Sequence, residues 1–211
     1  MFDFKPAGLR RWIQLVLGLA SYGVSSALMI RSRLGLGPWD MFHQGLSRLL
    51  PVSIGAASIG VGLVLLALLM FAKVRFGWGT LANIVLIGAV TDLALPWIAE
   101  AGRLDWQLGY YALALPLAGL GIGLYIGADM GAGPRDSLML WLSQRTAWPV
   151  RRVRTLIELG ALAGGWLMGG QAGIGTVLFA LAIGPAAQWG MRLFKVKLPA
   201  PQPKGRTQPA G

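Results

Sequence analysis

The sequence has no cysteine, one histidine and only eight acidic residues in 211. The first absence removes disulfides, thiolate nucleophiles and thiolate metal sites together. A lone histidine, His43, cannot supply the paired imidazoles of a His-Glu-x-x-His helix or a histidine metal cluster. Charge is scarce as well: Asp, Glu, Lys and Arg make up 13% of the chain, against about 25% in ordinary soluble domains.

Long apolar runs take the place of charge. Hydrophobic residues are 55% of the chain and the mean hydropathy is +0.60. Six runs stand out, at residues 12–30, 54–72, 80–100, 108–128, 153–169 and 175–191. A run of about 20 apolar residues crosses a hydrocarbon core of about 30 Å as a helix. Two further stretches, 39–50 and 136–145, are too short to cross. The first is amphipathic, with Trp39, Phe42, Leu46, Leu49 and Leu50 on one face and Asp40, His43, Gln44, Ser47 and Arg48 on the other. It is expected to lie on the interface or to re-enter as a half-helix, with His43 solvated or interfacial.

The formal net charge of +11 raises the question of nucleic acid. No basic recognition helix supports it, and in a membrane chain basic residues record topology. With a cytoplasmic N-terminus and six crossings, all but four of the 19 basic residues fall inside; Arg31, Arg33, Arg48 and Arg103 fall outside. Arg10-Arg11 before an apolar run is also the opening of a cleaved leader. The internal repeat argues instead that the first helix is part of the fold.

Displaced by 96 positions, the sequence matches itself. Gly35-Leu36-Gly37-Pro38-Trp39-Asp40 falls on Gly131-Ala132-Gly133-Pro134-Arg135-Asp136, and Gly77-Trp78-Gly79-Thr80 on Gly173-Ile174-Gly175-Thr176. Each copy holds three crossings, an odd number, so the second enters from the opposite side. The expected fold is all-α and membrane-integral: six transmembrane helices in two inverted repeats, each with a short amphipathic or re-entrant helix after a Gly-x-Gly-Pro-x-Asp motif. The division is a cytoplasmic N-terminus (1–10), repeat 1 (11–100), repeat 2 (107–195) and a disordered cytoplasmic tail (196–211) rich in Pro and Gly. The two motifs are then expected at opposite surfaces. A thiol at Ser32 would react from outside and one at Ala132 from within.

Within each motif the glycines permit a tight turn, and Pro38 and Pro134 suit the first helical position. Asp40 and Asp136 fall in the first turn, favourable beside the positive end of the helix dipole. Either the acids serve the helix alone, or they face a polar cavity and handle an ion or solute. Thr80 and Thr176 likewise either cap their helices or line a path. Gly119, Gly123 and Gly127, and Gly160 and Gly164, are spaced for close helix approach.

Acids inside apolar runs carry more information, because burying charge in lipid is costly. Glu158 follows Arg154 by four residues, the spacing of a helical ion pair. Asp92 lies past the middle of the third run, and its repeat partner is Gln188. Asp92, Gln188 and Glu158 are the leading candidates for a solute or proton pathway, with Asp40, Asp136, Thr80 and Thr176 beside them.

The two motifs, the stretch Val153-Arg154-Thr155-Leu156-Ile157-Glu158 and the run from Gly173 to Pro185 together resemble the YczE/YitT group of bacterial membrane proteins, the YczE branch most closely. The resemblance covers nearly all the chain except its termini. It implies a multi-pass protein of the bacterial plasma membrane, here with both termini cytoplasmic. It transfers no activity and no catalytic residue. The expected function is a small-solute or ion secondary transporter or permease; the alternative is a non-transporting scaffold or regulator of a partner complex. No enzyme activity, cofactor or metal is expected. The expected partners are the lipid bilayer and a small solute or ion, not nucleic acid.

Overall fold

A computed structural model describes residues 7–196, which form eight α-helices and no strand. The first six residues and the expected tail from 197 onwards lie outside the described residues. The helices are α1 (Leu9–Ser32), α2 (Pro38–Leu49), α3 (Ile54–Phe71), α4 (Trp78–Ala94), α5 (Leu104–Gly127), α6 (Pro134–Thr146), α7 (Val150–Leu167) and α8 (Ile174–Leu193); a 3-10 turn, Leu95–Trp97, extends α4. Pro38 and Pro134 start α2 and α6, and the Ser53 hydroxyl accepts from Ala56 N at 3.0 Å to start α3.

Five helices have the length and apolar composition to cross a membrane: α1, α3, α4 with its 3-10 extension, α5 and α8. The sixth expected run forms α7, but Arg151, Arg152, Arg154 and Glu158 all fall in its first half. Large apolar side chains point outward along the bundle, among them Leu63, Val64 and Leu68 of α3 and Leu113 of α5. The protein is all-α and membrane-integral, with this surface in contact with lipid.

The centre is built on α1 and α5. Ser25 donates to Ala114 O (2.7 Å), Ser21 to Leu117 O (2.9 Å) and Gln14 to Leu124 O (3.2 Å). As one number rises the other falls, so the two helices run antiparallel. The chain's start and the end of α5 therefore share one face of the bundle, called here the N-terminal face. The far face carries the end of α1, where Arg31 donates to Leu95 O at 2.8 Å.

Contacts recur at the 96-residue displacement. Gly23 packs against Ile87 and Val90 of α4, as Gly119 packs against Ala186 of α8. Helix α2 lies against α7, and α6 against α3. Gly35 and Gly131 both take left-handed backbone, at φ +123° and +117°. Gly79 N donates to Met130 O at 2.7 Å and Gly175 N to Leu34 O at 2.8 Å. Each motif turn is thus clasped by the glycine-rich helix start of the other half.

Two expectations, the solvated His43 and the close approach at Gly160, are corrected. The polar face of α2 turns inward: Asp40, His43 and Gln44 are buried, while Leu49 and Leu50 are exposed. With lipid outside, an amphipathic helix gains by presenting its apolar side outward. His43 is accordingly 1% exposed rather than solvated. Finally, Gly160 has nothing within 4 Å, so it mediates no helix approach.

The four basic residues that dissent from the topology rule are held by local partners. Arg31 and Arg33 share Glu100 at 3.1 and 2.5 Å, Arg103 meets Asp105 at 2.9 Å, and Arg48 donates to Gly169 O.

Candidate functional site

Helices α2 and α6 begin close together, and their starts frame a cleft of about 360 Å³ bounded by α1, α4, α5, α7 and α8. Both motif aspartates line it, with Arg135, Arg154, Glu158 and Gln188. The motif turns themselves lie toward opposite faces, and only the residues that follow them meet. Their glycines sit against opposite helix starts, but the helices that follow converge.

Arg135 is central to the convergence. Its guanidinium lies 4.7 Å over the Trp39 ring, and Nη2 sits 3.1 Å from His43 Nε2. A guanidinium only donates, so Nε2 accepts and the imidazole is neutral with its proton on Nδ1. That nitrogen lies 4.0 Å from Asp40 Oδ1. Ser26 donates to Asp40 Oδ2 at 3.3 Å. On the other motif, Tyr125 donates to Asp136 Oδ2 at 3.4 Å and accepts from Gly133 N at 2.5 Å.

Burial shifts all three ionisable groups toward their neutral forms. It pushes Asp40 above the ordinary carboxylate range, opposed by Arg135 and by Ser26. It pushes Asp136 up as well, opposed first by Arg154 and then by Arg135. Burial, followed by the Arg135 charge, holds His43 well below its ordinary value. Two acids shifted toward their neutral forms thus share the cleft with the guanidinium groups of Arg135 and Arg154, amid a lining that is otherwise largely apolar.

The remaining candidates divide. Glu158 and Gln188 line the cleft, and Glu158 accepts from Arg154 Nε at 2.8 Å. Asp92 is elsewhere. Its carboxylate accepts from Gly55 N at 2.8 Å and from the Ser53 hydroxyl at 2.5 Å, so it closes the start of α3. Thr80 is fully buried; it accepts from Gly77 N at 3.4 Å and donates to Ala132 O at 2.7 Å. Thr176 accepts from Gly173 N at 3.3 Å. Both threonines tie helix starts, and Thr80 also holds the opposite motif turn.

Sequence reasoning misses Arg135, Trp39, Tyr125 and His43 as members of one site. Arg135 reads there only as a cytoplasmic charge. The available signal is the repeat itself, which sets Arg135 against Trp39.

Comparison with known proteins agrees with this picture of a membrane bundle. The chain is 35% identical over 176 residues to the uncharacterized membrane protein YczE of Bacillus subtilis, covering 82% of each chain. It is 32% identical over 180 residues to an uncharacterized protein of Haemophilus influenzae, covering 85% of this chain and 83% of that one. A second Bacillus subtilis protein, uncharacterized YyaS, is 27% identical over 169 residues, covering 77% of this chain and 83% of its own. No solved structure matches. The model of the family of unknown function DUF6198 matches residues 9–192, and the chain therefore belongs to that family, the YczE type of membrane protein.

Proposed function

We propose that this protein is a secondary transporter or permease for a small solute or ion in the bacterial plasma membrane. It would have six spans in two inverted halves and both termini in the cytoplasm. The observation that supports this reading is the cleft shared by the halves, into which both motifs deliver an aspartate and the second delivers Arg135. In inverted-repeat transporters the binding site sits between the halves, beside the N-termini of broken or half helices. The starts of α2 and α6 are such ends. Helix α7 is read as the sixth span, its charged first turns lying at the cytoplasmic surface.

The scaffold alternative calls for acids committed to structure. Asp92 fits it, since it closes α3. Asp40 and Asp136 do not: among the described residues, their closest polar partners are the neutral groups Ser26, His43 and Tyr125. No catalytic step is assigned to the chain, because the cleft needs none for exchange.

The test is thermal unfolding of the purified protein with single alkali and divalent cations, inorganic anions, amino acids and vitamins. At least one class is expected to raise Tm in the wild type and not in Asp136→Asn. A flat response across every class in the wild type would overturn the transporter reading in favour of the scaffold.

A further inference from the structure

The two faces of the bundle are built alike and closed differently. Helices α3 and α7 end in the same turn. Lys73 and Gly169, 96 positions apart, both take positive φ (+56° and +83°). Val74 N donates to Leu69 O at 2.9 Å, and at the equivalent place Gly170 N donates to Gly165 O at 2.7 Å.

On the far face, α2 reaches across and holds the turn after α7. Gln44 Oε1 accepts from Gln171 N at 2.7 Å, Arg48 Nη1 donates to Gly169 O, and Leu36 N donates to Gln171 O at 3.1 Å. Leu36 beneath these contacts is 0% exposed. On the N-terminal face the counterparts are Leu140 for Gln44, Gln144 for Arg48, Lys73 for Gly169 and Arg75 for Gln171. All four line an open cleft of about 610 Å³ instead. Ala132, the counterpart of Leu36, is exposed there. Leucine has no acceptor to offer the turn, and Gln144 could donate to a carbonyl only through a neutral amide, a weaker bond than a guanidinium makes.

We infer that Gln44 and Arg48 are a latch that shuts the central cleft from the far face, and that solute enters and leaves on the N-terminal face through the mouth lined by Lys73, Arg75, Leu140 and Gln144. This rests on the transporter reading. Alternation between faces then requires release of the α2 latch. Lys73 and Arg75 at the mouth, beside the Arg11–Asp129 ion pair, leave it a net positive rim that draws anions to it.

The chain has no native cysteine, so a single introduced thiol reports alone. Leu36→Cys and Ala132→Cys are labelled with an impermeant maleimide in sealed vesicles of each orientation. With the latch intact, the Ala132→Cys thiol reacts from the N-terminal face and the Leu36→Cys thiol is silent from both. Adding Gln44→Leu with Arg48→Gln, the residue types of the other face, is expected to raise Leu36→Cys labelling from the far face about tenfold and to lower that of Ala132→Cys. A second variant protects the test against misfolding. Leu140→Gln with Gln144→Arg installs the latch on the N-terminal face and is expected to slow Ala132→Cys labelling about tenfold. Equal labelling of Leu36→Cys with and without the latch overturns the inference, and so does a joint rise at both thiols. Labelling needs no solute, so a flat thermal panel with a working latch would overturn the transporter reading alone.

Discussion

Arg135 lies over the ring of Trp39 at 4.7 Å, and the two residues hold the same place in the two motifs, 96 positions apart. Counterparts that touch each other are what the proposed inverted halves would place on their shared axis. The cation is held there by neutral groups, the indole face and His43 Nε2, while both motif aspartates line the same cleft. A desolvated cation–π contact contributes about 2 kcal/mol. Trp39→Leu and Arg135→Gln are each expected to lower stability, and the double variant to lose about 1–2 kcal/mol less than the sum. Unfolding in a denaturing detergent series measures the coupling; strict additivity would show that the stacking contributes nothing.

Five of the six expected spans are legible in the sequence because lipid imposes a length on apolar runs: the run 54–72 becomes α3, Ile54–Phe71. The inward turn of Asp40 and His43 is not, because the pattern of α2 gives two faces without saying which meets lipid. The partners of Asp92 are hidden for a related reason. Its partners are the Gly55 N–H and the Ser53 hydroxyl, 37 and 39 positions away, and a search for a nearby basic residue does not find them. The pairing of Trp39 with Arg135 is present in the repeat, but only a known axis turns equivalence into contact.

Asp92 and Asp136 offer a test that separates a structural acid from the proposed solute-handling one. Asp92→Ala removes the acceptor at the start of α3 and is expected to cost about 1–2 kcal/mol, the range of a helix cap. The thermal response to any stabilising solute should survive. Asp136→Asn should change the basal Tm little and abolish the response. Loss of the response in Asp92→Ala, with Asp136→Asn unaffected, would reverse these assignments.

Two glycines on different helices give opposite predictions for one substitution. A methyl group at Gly119 meets the backbone of Ala186, which cannot move aside without shifting α8. Gly119→Ala is expected to cost about 1–3 kcal/mol by overpacking. At Gly160 nothing lies within 4 Å, and alanine is the better helix former by about 0.5–1 kcal/mol. Gly160→Ala should therefore leave Tm unchanged or raise it. Equal losses at both sites would mean that α5 and α8 do not approach as closely as described.

Topology can be tested at two residues that occupy equivalent turns. Ser32, the first choice for a thiol on sequence grounds, is 0% exposed and donates to Met29 O, so it would be silent on either side. Arg33 and Asp129 serve better. They are 96 positions apart, follow α1 and α5, and share left-handed backbone at φ +59° and +51°. Their side chains are 58% and 82% exposed. Each gives up only a surface ion pair, to Glu100 or Arg11, of small energetic weight. Because α1 and α5 run antiparallel, the thiol of Arg33→Cys should react with an impermeant reagent applied to whole cells. The thiol of Asp129→Cys should react only after the membrane is opened. Labelling of both from the same side would rule out an inverted arrangement of the halves, and the shared cleft would then need another origin.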